Sequence, residues 1–255
     1  MIRGVLIDLS GVVYSGTQPI NGAASAIGRL REAGLPLRFV TNTTRKSKRL
    51  ILEQLTRMDL GIGEDEVFTP ASAACEIVTE RNLSPHLLIH PALAEDFSDL
   101  PTGTDTALVV GDAADGFTYT AMNDAFRILD QGAPFLALAK NRAFLDADGE
   151  RSIDAGAFVT ALEYASGTHA TVLGKPSKSF FEAAAKTMNA GLSDCVMIGD
   201  DAEVDVSGAL VAGVGQAVLV RTGKYQSGDE KRNDPPPTIV VDDIAAAADW
   251  IVSNC

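Results

Sequence analysis

Four short stretches hold residue types suited to phosphoryl chemistry. Asp8 closes the apolar run Val5-Leu6-Ile7, Thr41-Asn42 follows Leu37 to Val40, Lys175 lies in Gly174-Lys175-Pro176, and Gly199-Asp200-Asp201 follows Val196-Met197-Ile198, with Asp205 just beyond. Each stretch alone is ordinary. An Asp after a strand is usually a turn former or a helix cap, Thr and Asn are common turn residues, and a loop lysine is usually solvated. The set is more informative than its parts. Asp200, Asp201 and Asp205 fall within six residues, and their mutual repulsion is most simply relieved by a cation. Mg²⁺ takes hard oxygens from one or two carboxylates plus water and substrate phosphate. Lys175 then balances charge on phosphoryl oxygens, a Thr hydroxyl and backbone amides donate to them, and one Asp is left to attack phosphorus.

Such residues must be brought together by the elements that precede them. Apolar runs alternate with segments of helical period: strands at Val5 to Ile7 and Leu37 to Val40, helices at Ala23 to Ala33 and Ser47 to Leu60, each closed by a glycine. A middle block reads as strands at Leu87 to Ile89, Ala107 to Val110 and Phe135 to Leu138, with helices at Tyr119 to Leu129 and Ala157 to Ala165. The last block reads as strands at Thr171 to Leu173, Val196 to Ile198, Ala217 to Val220 and Ile239 to Val241, with helices at Phe180 to Met188, Val206 to Ala212 and Ala245 to Ser253. The pattern Ser179-Phe180-Phe181-Glu182 suggests a capping box at the first of these helices, and Ser227 to Pro237 reads as a surface loop. The alternation predicts an α/β protein with parallel sheets covered on both faces. In such doubly wound sheets ligands sit outside the carboxyl ends of the strands, where the four stretches lie.

The 255 residues suffice for one large domain or two modest ones, and 46% hydrophobic content supplies a core. A formal net charge of −13 opposes nonspecific attraction to nucleic acid or an anionic membrane. No apolar stretch is long enough to span a bilayer, and Met1 leads straight into a strand without an export signal, so the cytoplasm is expected. Cys75, Cys195 and Cys255 match neither a disulfide framework nor a zinc pattern and read as core thiols with a free one at the C-terminus. His86, His90 and His169 lack metal-binding spacing, and Trp250 reads as core.

The motif order Asp8-Leu9-Ser10-Gly11-Val12, Val40-Thr41-Asn42, Gly174-Lys175-Pro176 and Gly199-Asp200-Asp201 with Asp205 resembles the four motifs of the haloacid dehalogenase superfamily of phosphatases. The similarity extends over nearly the whole chain. It implies a Rossmann-like catalytic core from residues 1–72 and 171–255, with a smaller α/β cap inserted at 73–170. It implies that Asp8 is the nucleophile and forms an aspartyl-phosphate, and that Asp8, Asp200 and the backbone carbonyl of Ser10 ligate Mg²⁺. Thr41 and Asn42 would hold the phosphoryl group, Lys175 would balance charge on it and on Asp8, and Asp201 and Asp205 would orient the metal's waters or Lys175. A small phosphorylated substrate and a homodimer through the cap follow from the same resemblance.

Ser10 departs from the family pattern. Most members carry a second Asp there, which protonates the leaving group and then activates water, and a serine hydroxyl does this poorly near neutral pH. An alkoxide leaving group needs that proton, whereas a phosphate leaving group has a second pKa of about 6, and a protonated P–N nitrogen leaves as a neutral amine. The expected substrates are therefore pyrophosphate and phosphoramidates such as phospholysine and phosphohistidine, ahead of ordinary phosphate esters. The group that activates water for the second step is not identified by the sequence. That gap sustains two alternatives, a slowly hydrolysing phosphotransferase and a weakly catalytic phosphate-binding protein. Tyr119, Asn123, Lys140, Asn141 and Arg142, with Asp112 and Asp115, are candidates for selecting the leaving group. Arg45, Lys46, Lys48 and Arg49 form the densest basic cluster, either adding positive potential at the phosphate site or forming a solvated helix end.

Overall fold

The central strand Gly4–Asp8 is buried along its whole length. Side chains alternate between the faces of a strand, so a strand covered on both faces needs apolar residues at every position. In the computed structural model, which describes residues 2–145 and 150–255, this strand lies inside a six-stranded parallel sheet. The spatial order is Ile239–Val241, Gln216–Val220, Cys195–Gly199, Gly4–Asp8, Leu37–Val40 and Val67–Phe68. The chain begins in the middle, moves to one edge, and later returns to build the other half. Its direction of winding therefore switches between Gly4–Asp8 and Cys195–Gly199, where a doubly wound sheet opens a crevice at the strand ends.

Val5 and Ile7 share a core cluster with Ile27 and Leu30 of the helix Ala23–Glu32 and with Ala248 and Ile251 of the helix Ile244–Ser253. The helix Lys178–Lys186 packs against the central strand. Phe180 on that helix sits with its ring 5.3 Å from Phe68 and 5.9 Å from Phe181. This helix follows Lys175 directly, so its packing anchors the lysine's loop.

The chain divides into two units. The first comprises Met1–Thr41, Leu50–Phe68 and Lys175–Cys255, and the second Asn42–Arg49 and Thr69–Gly174. The second unit has its own parallel sheet, ordered Thr171–Val172, Phe135–Ala137, Asp105–Val110 and Leu83–Leu88, and an antiparallel pairing of Ala143–Leu145 with Arg151–Ile153. Its core joins Leu108, Val110 and Phe135 to Ala125 and Leu129 of the helix Tyr119–Asp130 and to Val159 and Leu162 of the helix Ala155–Ser166.

Several elements differ from the sequence expectation. The strand expected at Leu87 to Ile89 spans Leu83–Leu88 and includes Pro85; it lies at a sheet edge, where the missing N–H of proline is tolerated. The helix Pro70–Glu80 was not expected at all, although Thr69 caps it by accepting from the Ser72 amide at 3.1 Å and Pro70 takes its first position. No capping box forms at Ser179 and Glu182. The helix begins two residues earlier, at Lys178, after Ser177, and the Ser177 and Ser179 hydroxyls pair with each other at 2.7 Å. The segment expected at Val206 to Ala212 is a π-helical turn over Ala202–Ser207 followed by a short helix at Gly208–Ala212.

Phe180→Ala is expected to lower the unfolding free energy by about 3–5 kcal/mol, the usual effect of removing a fully buried aromatic side chain. Urea denaturation monitored by circular dichroism checks it, and a loss below about 1 kcal/mol would contradict the anchoring role given to this ring.

Candidate active site

Sheet register brings the chemical residues to one edge of the first unit. Ile7 is level with Ile198, so Asp200 emerges just beyond the strand adjoining Asp8. On the other side Asp8 is level with Val40, and Thr41 is the next residue. Lys175 opens the last segment of the unit. Its ammonium donates to Asp8 Oδ1 and lies 2.7 Å from Asp205 Oδ1. Asp8, Thr41, Lys175, Asp200 and Asp205 are all buried.

Gly199 explains how Asp205 reaches this point. A Cβ at Gly199 would sit 2.2 Å from Cβ of Asp205, so only glycine lets the π-helical turn fold back over the strand end. The turn is closed by the Asp205 and Val206 amides, which donate to the Asp201 carbonyl at 3.0 and 3.2 Å. Asp201 has a different environment. Its Oδ1 accepts from the Glu203 and Val204 amides at 3.1 and 3.0 Å, and its Oδ2 lies 3.1 Å from Lys224 Nζ. Asp205, rather than Asp201, therefore holds Lys175 directly.

Three buried carboxylates surround one buried ammonium, and the charge does not balance. Burial pushes the Asp8 carboxyl up to about 7, with Lys175 opposing and Asp205 and Asp200 adding to the rise. Burial likewise pushes Asp200 up to about 6, against the Lys224 amide that donates to it. Burial works against the charge on Lys175, but Asp205 and Asp8 outweigh it and hold the ammonium well above its ordinary range. The lysine keeps its proton, and the surplus negative charge rests on the carboxylates. Oxygens of Asp8, Asp200 and Asp205 lie within 4.8 Å of one another. Hard oxygen donors crowded together with unbalanced negative charge suit Mg²⁺.

Ser10 is exposed and its segment forms a β-bridge with Tyr14, while the Gly11 amide donates to the Tyr14 carbonyl at 2.7 Å. Asn42 belongs to the second unit, where a Cβ at Gly174 would come within 2.9 Å of its Oδ1. The other residues considered for selectivity also lie there. Tyr119 and Asn123 line an apolar groove of about 280 Å³ with Met122, Phe126 and Ala161, and Tyr119 is highly exposed. Lys140 pairs with Glu163 at 2.6 Å, Asn141 is half-buried and Arg142 exposed, as is Asp115. Asp112 is buried and paired with Arg45. Arg45 also lies 4.3 Å from the Phe144 ring centre, and Arg49 pairs with Glu95. The basic cluster therefore spends much of its charge inside the second unit.

Sequence reasoning assigned no role to Thr222, Gly223 or Lys224, which also reach the site. The Lys224 amide donates to Asp200 Oδ2 at 2.7 Å. Backbone donors carry no side-chain signature, and only the crowding of two glycines onto one carboxylate reveals them.

Known proteins show the same arrangement of chain and fold. The family described as haloacid dehalogenase-like hydrolase matches residues 5–111, and one described as HAD-hydrolase-like matches residues 172–247. The haloacid dehalogenase-like hydrolase domain-containing protein 2 of Rattus norvegicus is 41% identical over 254 residues, covering 100% of this chain and 97% of the relative. The chain belongs to the haloacid dehalogenase-like hydrolase family. Within it, the phospholysine phosphohistidine inorganic pyrophosphate phosphatase of Rattus norvegicus is 40% identical over 259 residues, covering 99% of this chain and 95% of the relative. Among solved structures, the p-nitrophenyl phosphatase from Archaeoglobus fulgidus matches with a TM-score of 0.86 at 25% identity, covering 98% of this chain and 99% of that one. Among the described residues no helix is long and apolar enough to cross a membrane.

The charge imbalance predicts a pH-dependent stability. Asp8 and Asp200 have folded pKa values above the unfolded value of about 3.9, so between these limits the native state holds more protons than the unfolded chain. Without a divalent cation, stability is expected to fall as pH rises from about 4 to about 7, and Mg²⁺ to offset the fall. Thermal melts at about pH 5 and about pH 8, with and without Mg²⁺, check this. A cation-free melting temperature that rises over that interval would contradict it.

Proposed function

We propose that the protein is a Mg²⁺-dependent phosphatase acting through an aspartyl-phosphate on Asp8, with pyrophosphate and phosphoramidates as preferred substrates. The observation that carries the reading is the buried group of Asp8, Asp200 and Asp205 around Lys175 at the switch point of a parallel sheet. Asp8, Asp200 and the Ser10 carbonyl would hold Mg²⁺, which when bound supplies positive charge against the phosphoryl oxygens. The Asp8 carboxylate bonds to phosphorus as the bond to the leaving group breaks, and the leaving group departs with the electron pair. Lys175 favours the ionised form of Asp8 against its burial and adds a second positive charge. Thr41 donates to the phosphoryl oxygens, Asp205 orients Lys175, and Asp201 holds the turn that carries Asp205. Water then attacks phosphorus, the bond to Asp8 breaks, and the water's protons end on the released phosphate.

The substrate preference follows from Ser10. Without a carboxyl group two residues after Asp8, poor leaving groups lose the proton donor that typically contributes about 10²- to 10⁴-fold. Phosphate and a protonated amine need little such help. The family relative named for phospholysine, phosphohistidine and pyrophosphate supports the choice. The second unit is the inserted cap in this reading, and its apolar groove beside Tyr119 is a suitable face for a homodimer.

Phosphate release should be measured from pyrophosphate, phospholysine, phosphohistidine and a sugar phosphate, with and without Mg²⁺. Release is expected from the first three, dependent on Mg²⁺ and absent in Asp8→Asn. No release above that blank would favour a binding protein, and a stable phosphoenzyme without turnover would favour a phosphotransferase. Ser10→Asp is expected to raise sugar phosphate turnover relative to pyrophosphate by about 10²-fold. An unchanged ratio would remove the role given to Ser10.

A further inference from the structure

One side of the Asp200 carboxylate is already committed to the protein. Its Oδ2 accepts the Lys224 amide at 2.7 Å. Cβ atoms at Gly11 and Gly223 would lie 2.0 and 1.9 Å from that same oxygen, so the carboxylate is pinched between two bare backbone segments. The two segments also approach each other, since a Cβ at Gly223 would fall 2.6 Å from Cα of Gly11. Both glycines have positive φ, +90° at Gly11 and +64° at Gly223, which side chains other than glycine seldom adopt. The Thr222 hydroxyl donates to the Gly11 carbonyl and ties the two segments together. Lys224 Nζ then reaches Asp201 Oδ2, fastening the far end of the turn to the strand that carries Asp200.

We propose that the turn Thr222-Gly223-Lys224, locked to Gly11, is a positioning device that fixes the Asp200 carboxylate and leaves Oδ1 as its one oxygen for the metal. Carboxylates that ligate metals are themselves held by hydrogen bonds, and loss of such support commonly weakens metal binding by about 10- to 100-fold. A carboxylate free to rotate offers either oxygen or both, whereas Mg²⁺ demands a near-ideal octahedral arrangement. The Lys224 amide and the two glycines remove that freedom before the metal arrives. The same lock fixes the loop after Asp8, because Gly11 lies three residues beyond it. Thr222, Gly223 and Lys224 touch no reacting atom in this proposal. They act through Asp200, and the proposal rests on the reading of Asp200 as a metal ligand.

Calorimetric titration with Mg²⁺ alone separates the two ideas, with melting of the metal-free protein measured alongside. Asp200→Asn tests the ligand. Thr222→Val removes the tie to Gly11 and should weaken Mg²⁺ binding about tenfold while leaving the metal-free melting temperature near that of the parent. Thr222→Ser keeps the hydroxyl and should bind as the parent does. Gly223→Ala should weaken binding at least as much, and Thr222→Val carries the test if that variant does not fold. Parent-like Mg²⁺ affinity in Thr222→Val, an equal loss in Thr222→Ser, or a loss matched by a lower metal-free melting temperature would each overturn the proposal. Parent-like affinity in Asp200→Asn would overturn the metal reading beneath it.

Discussion

The Lys175 ammonium between Asp8 and Asp205 is the contact on which the site depends. It joins residues 167 positions apart, and it does so in the interior, where an unpartnered charge is severely disfavoured. One ammonium cannot neutralise three buried carboxylates. Carboxylate oxygens crowded in this way suit an additional cation. The sheet's switch point places Asp8 beside Asp200, Gly199 lets Asp205 fold back over the strand end, and Phe180 anchors the helix that follows Lys175.

What the sequence revealed, and what it hid, follows from where the chemistry resides. The placement of Asp8, Thr41 and Asp200 at strand ends was legible because buried parallel strands read as unbroken apolar runs, and ligands of doubly wound sheets collect where those runs end. The helix Pro70–Glu80 was missed because alanines dominate its buried face and give little contrast between faces. Pro85 concealed half of an edge strand that tolerates it. The pattern at Ser179 and Glu182 was a true local preference overridden by its surroundings, since the loop after Lys175 delivers the chain to the helix at Lys178. The choice between Asp201 and Asp205 was illegible for a different reason. Both follow the same strand, and only the π-helical turn decides which one faces Lys175.

Net charge needs a comparable local correction. The chain carries −13 overall, and its densest basic cluster looked like a counterweight near the phosphate residues. In the folded second unit Arg45 pairs with the buried Asp112 and stacks on Phe144, while Arg49 pairs with Glu95. These contacts organise that unit, so the cluster's formal charge overstates what remains for an anionic ligand. Lys175 is buried against Asp8 and Asp205, and a fixed charge in a buried site does more than several screened by water.

Ser10 bears unequally on the two halves of the proposed reaction. In the first half the leaving group is part of the substrate, so the absence of a carboxyl group discriminates among substrates according to how much each leaving group needs a proton. In the second half every substrate has become the same aspartyl-phosphate, and the missing base is felt equally whatever was bound first. Under that proposal the serine would set specificity in one step and a common ceiling on turnover in the other. Where the second step is limiting, good and poor substrates share a similar kcat and differ in kcat/KM. In the same proposal a firmly held Asp200 would keep the metal in place through that shared step. Backbone atoms of Gly11 and Gly223 and the amide of Lys224 are well suited to this purpose, since they hold the carboxylate without adding another charge to a site that already has a surplus.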